Sequence, residues 1–189
     1  MSQSKWDDQA AQWYADKYGD HPSNLKIVEW ANLQPTDVVL DIGCGSGTAV
    51  FTAAALVPQG KAIGIDPTQR MVEIAQEALK ETKSQSQIEF LIGGAEDIPS
   101  PDDRFDVVLA LNSLHHWANV DKGIEEVKRV LKKNGRFLIG EEQFSDRINE
   151  WGPERVIQAL TGADFKLLNH SVAQFEDSAM DFFEFMTNK

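Results

Sequence analysis

The chain has 189 residues, of which 42% are hydrophobic and 25% charged; this suits one folded domain with a terminal extension and excludes disorder as the main state. It has 18 basic residues against 30 acidic ones, a net charge of −12, which argues against nucleic acid and anionic membrane surfaces as partners. A single cysteine, Cys44, excludes an internal disulfide framework and a multi-thiolate metal site.

The first eight residues hold no apolar signal core, and the longest nearly apolar run, Ala49 to Val57, is about half of a bilayer span. A cytoplasmic protein without a membrane span is therefore expected. Residues 1–36 precede the first predicted strand and carry Trp6, Trp13, Tyr14, Tyr18 and Trp30. So many aromatics suit a helical cap over a ligand site, with residues 37–189 forming the body of a single domain. The β-branched run Val38-Val39-Leu40 predicts a strand ending at Asp41, followed by a glycine cluster and an Ala-rich helix to Val57. Lys61 to Ile65 reads as a second strand. Met71, Ile74, Ala75, Ala78 and Leu79 share one helical face. Ile88 to Ile92 is a third strand, and Phe105 to Leu111 a fourth, apolar on both faces as a central parallel strand should be. Val120, Ile124, Val127 and Leu131 mark another helix, predicted to stop at Asn134-Gly135, with Arg136 to Gly140 as the fifth strand. A short helix from Pro153 to Leu160 and two final strands, Phe165 to Val172 and Asp181 to Met186, complete the pattern. The alternation predicts an α/β fold with a doubly wound, mostly parallel, Rossmann-like sheet. Its ligand belongs beyond the carboxyl ends of the strands.

The sharpest motif is Asp41-Ile42-Gly43-Cys44-Gly45-Ser46-Gly47, placed between a strand and a helix. Its glycines permit a tight turn and close approach of a ligand. A dinucleotide fingerprint would put its third glycine where Thr48 stands. A carboxylate at Asp41 repels a pyrophosphate but accepts hydrogen bonds from an ammonium group. Asp66 ends the second strand about twenty residues on, the place where a carboxylate holds ribose hydroxyls. A ribose, a cationic head and no phosphate describe S-adenosyl-L-methionine.

The segment Val38 to Gly47 resembles the first motif of the class I S-adenosylmethionine-dependent methyltransferases. Gly64-Ile65-Asp66-Pro67 with Met71, the loop Gly93 to Pro99, Phe105 to Val108 with Asn112, and Val127 to Ile139 are similar to the later motifs of that family, in order. The nearest branch in pattern includes the ubiquinone and menaquinone C-methyltransferases. The resemblance implies a seven-stranded sheet. It also implies that Gly43, Gly45 and Gly47 shape the methionine end of the pocket and Asp66 holds the ribose. Pro67 and Met71 would pack near the adenine, Ala95 and Glu96 meet its edge, and Asn112 serves the methionine amino group. Gly94 stands where many relatives carry Asp, which leaves Glu96 or Asp97 to replace that acceptor.

Cys44 reads as a small buried filler and Asp106 as a structural acid at the strand's remote end. The cluster Asn112 to Trp117 holds His115 and His116 where an acceptor would approach. They read either as a general base or substrate hydrogen-bond partner, or as pocket lining and helix cap. No third ligand completes a metal site with them. Lys128, Arg129, Lys132, Lys133 and Arg136 read as a solvated face on a helix end. From Glu141 onward there are 4 basic and 10 acidic residues, half of the net charge. With Phe144, Trp151, Phe175, Glu141 and Glu142 there, a small neutral or cationic methyl acceptor is the expected partner, or the acidity serves solubility alone. A non-enzymatic S-adenosylmethionine-binding module and a nicotinamide-dependent oxidoreductase are the alternatives, with a nucleic-acid methyltransferase behind them. The oligomeric state is open.

Overall fold

A computed structural model describes residues 7–82, 87–143, 151–176 and 178–189. Trp6 and Phe144 lie outside them. Seven strands form one sheet: β1 (Val38–Ile42), β2 (Lys61–Asp66), β3 (Ile88–Ile92), β4 (Phe105–Leu111), β5 (Leu131–Glu142), β6 (Phe165–Gln174) and β7 (Ala179–Thr187). Among the described residues six α-helices accompany them: α1 (Asp8–Tyr18), α2 (Ser23–Trp30), α3 (Thr48–Leu56), α4 (Gln69–Lys80), α5 (Val120–Val130) and α6 (Pro153–Gly162). The strand order is β3-β2-β1-β4-β5-β7-β6, parallel except for β7, which runs antiparallel to both its neighbours. The chain winds outward from β1 in one direction and from β4 in the other. The crevice beyond the carboxyl ends of these two strands is therefore the switch point where a ligand fits. This is the doubly wound sheet that the alternation of apolar runs and amphipathic helices predicts.

Both faces of the sheet are covered, which is why the central strands read as apolar runs rather than alternating ones. One face packs Leu40, Ile63, Val108 and Ile139 against Ile124 and Val127 of α5 and Leu160 of α6. The other packs Val39, Ala62, Leu109 and Leu138 against Val28 of α2, Val50 and Ala53 of α3 and Ala75 of α4. Small residues on α3 let that helix lie close to the sheet beside the glycine turn.

Within residues 7–36 the two helices differ in burial. Ile27, Val28 and Ala31 are fully buried, and Trp30 meets Phe182 edge-on at 5.8 Å, so α2 is a core helix. The helix α1 instead packs against α4. Asp7 caps it through Ala10 N–H at 2.8 Å. Gln12 accepts from Arg70 of α4 at 2.9 Å, which ties the cap to the body.

The stop of α5 also differs from the sequence reading. The helix ends at Val130, and Leu131 is already extended and paired with Phe105. Asn134, at φ +58°, serves an irregularity inside β5 rather than a helix end. Pairing with β4 rewards an earlier exit than the turn signal Asn134-Gly135 suggests. Lys132, Lys133 and Arg136 consequently sit on β5. The basic group is largely ion-paired rather than a solvated face: Lys132 meets Asp106, Arg136 meets Glu184, Arg129 meets Glu126 and Asp102, and Lys128 meets Asp164. Among the described residues, no helix is long and apolar enough to cross a membrane.

Candidate functional site

The glycine turn is built by three left-handed residues, Gly43 at φ +75°, Gly45 at +52° and Gly47 at +88°. Each needs glycine for its backbone, but their surroundings differ. A Cβ at Gly43 would meet Ser113 Cβ at 2.6 Å, and one at Gly47 would meet the Phe90 ring at 2.6 Å. A Cβ at Gly45 would meet nothing within 4 Å. Gly43 and Gly47 thus serve close packing, whereas Gly45 faces open space and presents bare backbone to it. Ser113, far along the chain, locks the turn by donating Oγ–H to the Ile42 carbonyl at 2.7 Å. Cys44 Sγ packs over the flat backbone of Gly64, and burial raises its thiol pKa well above the ordinary value. It is a filler.

Two buried carboxylates flank this turn. Asp66 receives N–H bonds from Thr68 to Oδ1 at 2.8 Å and from Gly45 to Oδ2 at 3.1 Å. Burial raises its pKa, and these two donors pull in the opposite direction. Asp41 is 4% exposed, and its Oδ1 has no hydrogen-bond partner among the described residues. Burial, reinforced by the charge of Asp66, pushes Asp41 up to about 7. A buried carboxylate oxygen without a donor costs free energy, and a ligand donor or cation would relieve that cost.

The remaining expected residues separate into distinct environments. Pro67 is exposed at the end of β2, and Met71 is buried at 4% on α4. Ala95 is a core residue whose methyl packs beside Gly123. Glu96 accepts from Asn119 N–H at 3.0 Å and thereby helps start α5. Its other oxygen lies beside Gly94, near the place a Cβ would fill. Asn112, at φ +48°, donates its N–H to Gly140 at 2.7 Å and accepts from Glu142 N–H at 2.9 Å through its side chain. It therefore clamps the ends of β4 and β5 together.

The two histidines are not equivalent. His115 and His116 occupy a 3-10 turn, Leu114–His116, with ring centroids 4.0 Å apart. His116 is exposed. His115 is 11% exposed at its side chain and meets Glu141 through Nδ1 at 2.5 Å. Glu141 also accepts from Leu114 N–H at 3.0 Å, so one carboxylate fixes both the turn and the ring. From the other side, α1 brings Tyr14. Burial first, and then the charges of Tyr18, Glu142, Glu141 and Asp66, raise its pKa to about 12, so its phenol stays protonated. These pairings join residues far apart in sequence, and only the repeated placement of polar residues just after strand ends signals them.

Such a sheet, with a glycine turn after β1 and an acid after β2, has the Rossmann-like architecture of the methyltransferases. The chain belongs to the methyltransferase-domain family, whose profile matches residues 33–180. It is 40% identical over 114 residues to the uncharacterized methyltransferase YcgJ of Bacillus subtilis, a match covering 60% of this chain and 44% of that protein. It is 32% identical over 114 residues to the demethylmenaquinone methyltransferase of Symbiobacterium thermophilum, covering 60% and 45% of the two chains. The matched stretch is thus under half the length of either relative. Among solved structures, a SAM-dependent methyltransferase from Aquifex aeolicus superposes with a TM-score of 0.79 at 23% identity, covering 96% of this chain and 99% of its own.

Proposed function

We propose that this chain binds S-adenosyl-L-methionine and transfers its methyl group to a small acceptor, neutral or cationic, leaving S-adenosyl-L-homocysteine. The observation that carries the reading is Asp41: a buried carboxylate with an unpartnered oxygen, beside a turn whose Gly45 is open to a ligand. A phosphate would be repelled there, and an ammonium group fits. The relatives named above, one of them acting on a quinone, support the same reading.

In this reading Asp41, with Gly43, Gly45, Gly47 and the remaining polar groups of Asn112, holds the methionine end. Asp66, already braced by Gly45 and Thr68, takes the ribose hydroxyls with its outward lone pairs. Pro67 and Met71 line the base, and the backbone at Ala95 and Glu96 reads its edge. The bound sulfonium supplies an activated methyl group. The chain's own work is to align an acceptor with that carbon and to keep water out. Residues 1–36 supply the cover through α1, and residues 37–189 supply the site. The acidity of the chain fits a small-molecule acceptor in the cytoplasm and not a nucleic acid.

Calorimetric titration of the folded protein with S-adenosyl-L-homocysteine tests the reading. Saturable binding at one site per chain is expected. A folded protein that fails to bind it refutes the assignment.

A further inference from the structure

The crevice has two halves, and each is bonded to its own neighbour in the sheet. The glycine turn is bonded to β2. Gly43 N–H and Cys44 N–H donate to the Ile65 carbonyl at 2.8 and 3.0 Å, and Gly45 N–H donates to Asp66 at 3.1 Å. The loop after β4 is bonded to β5. Asn112 N–H donates to the Gly140 carbonyl at 2.7 Å, Glu142 N–H to Asn112 Oδ1 at 2.9 Å, and Leu114 N–H to Glu141 at 3.0 Å. Between the halves the sheet opens. The pairing of β1 with β4 reaches Asp41 beside Leu109, whereas β1 continues to Ile42 against Ile65 of β2 and β4 to Leu111 against Gly140 of β5. The two strands part where the topology puts the ligand.

Ser113 spans that parting. It is buried, and it donates Oγ–H to the Ile42 carbonyl at 2.7 Å. Its Cβ lies 2.6 Å from the place of a Cβ on Gly43, so the serine is seated directly on the glycine turn. A hydroxyl thus adds one rung to the β1–β4 ladder beyond the last backbone pair. Without it the Ile42 carbonyl loses a donor in a buried place, and the two halves must shift or let water in. At the amino end of the same strand pair, Asp106 makes a matching bridge to Val38 N–H at 2.9 Å. A side chain therefore closes each end of the β1–β4 contact, and the Ser113 end is the one at the crevice.

Resting on the methyltransferase reading, we propose that Ser113 is a positioning residue whose hydroxyl fixes the gap between β1 and β4, so that the glycine turn and the loop after β4 grip the amino-acid end of one cofactor molecule together. In that reading the adenosine end lies on the β2 side, at Asp66, Pro67 and Met71. The amino-acid end reaches both halves, Asp41 and the glycine turn on one and Asn112 on the other. Groups that hold one ligand from two sides lose affinity when the distance between them changes by a fraction of an ångström.

Calorimetric titration with two ligands tests this. S-adenosylhomocysteine spans both halves, and methylthioadenosine keeps the adenosine and the thioether but lacks the amino-acid end. Ser113→Ala should bind S-adenosylhomocysteine about tenfold more weakly than wild type, with methylthioadenosine affinity held within about twofold. Asp106→Ala, which loosens the same strand pair at its far end, should leave both affinities within about twofold of wild type. Unchanged S-adenosylhomocysteine affinity in Ser113→Ala, an equal loss for both ligands, or the same loss in Asp106→Ala overturns the proposal. If Ser113→Ala does not fold, Ser113→Cys, a weaker and longer donor to the same carbonyl, is judged by the same outcomes. A folded wild type that binds no S-adenosylhomocysteine instead overturns the underlying methyltransferase reading.

Discussion

The two ends of the sheet treat their carboxylates in opposite ways. At the amino ends, acids are matched by cations from the same chain. Asp106 accepts Lys132 Nζ at 2.9 and 2.7 Å and the Val38 N–H at 2.9 Å. Arg129 joins Asp102 and Glu126 and donates to the carbonyls of Ser100 and Ile98. Lys189 closes the same region on Asp103 at 2.6 Å. At the carboxyl ends, Asp41, Asp66 and Glu141 pair with no lysine or arginine among the described residues. Asp66 and Glu141 are held by backbone N–H groups, with a histidine also on Glu141, and Asp41 Oδ1 has no hydrogen-bond partner. Where a charge only has to hold the fold together, the chain supplies its own counter-charge. Where it does not, the fold carries a cost that a ligand can relieve.

The largest effect expected from this contrast is on Asp41. Its folded pKa of about 7 lies above the ordinary 3.8, so the native state holds the extra proton between those values. Stability of the ligand-free protein therefore falls as pH rises through that window. Asp41→Asn removes the slope, and the difference between the two proteins' unfolding free energies should change by up to about 4 kcal/mol from pH 4 to pH 8. Denaturant melts at several pH values measure it, and parallel curves would break the contrast. Next, Asp66→Ala removes a charged acceptor and should weaken S-adenosylhomocysteine binding about 100-fold, measured by calorimetry.

The glycine turn allows a finer cut. Gly47→Ala forces a Cβ into the Phe90 ring at a left-handed position and should cost about 2–3 kcal/mol of stability. Gly45→Ala meets open space and should cost about 1 kcal/mol, yet lose most of the binding. Thermal unfolding and ligand titration of the two variants separate packing from recognition. The smallest effect belongs to the amino end. Asp106→Ala breaks a pair with side chains 30% and 41% exposed and should cost about 1 kcal/mol, with ligand affinity unchanged.

Much of the fold is legible in the chain because its strands are buried on both faces and its helices are amphipathic. β3 and β4 fall on the predicted residues, and the glycine turn with Asp41 and Asp66 follows from local spacing alone. The exit from α5 was less legible, since strand pairing with β4 outweighed a local turn signal. The aromatics before β1 mark burial but not direction, and only the fold shows that α2 faces the sheet core, with Trp30 against Phe182.

The sequence by itself determined the order of elements, the glycine turn after β1 and the two acids that flank it. Each of these rests on interactions between near neighbours or on the period of apolar residues. Tertiary structure alone decided which acids are neutralised and which are not. It set Lys132 on Asp106, left Asp41 Oδ1 without a hydrogen-bond partner, and brought Glu141 to His115. Those outcomes depend on distances between strand ends that are remote in sequence, and a charge count has no access to them.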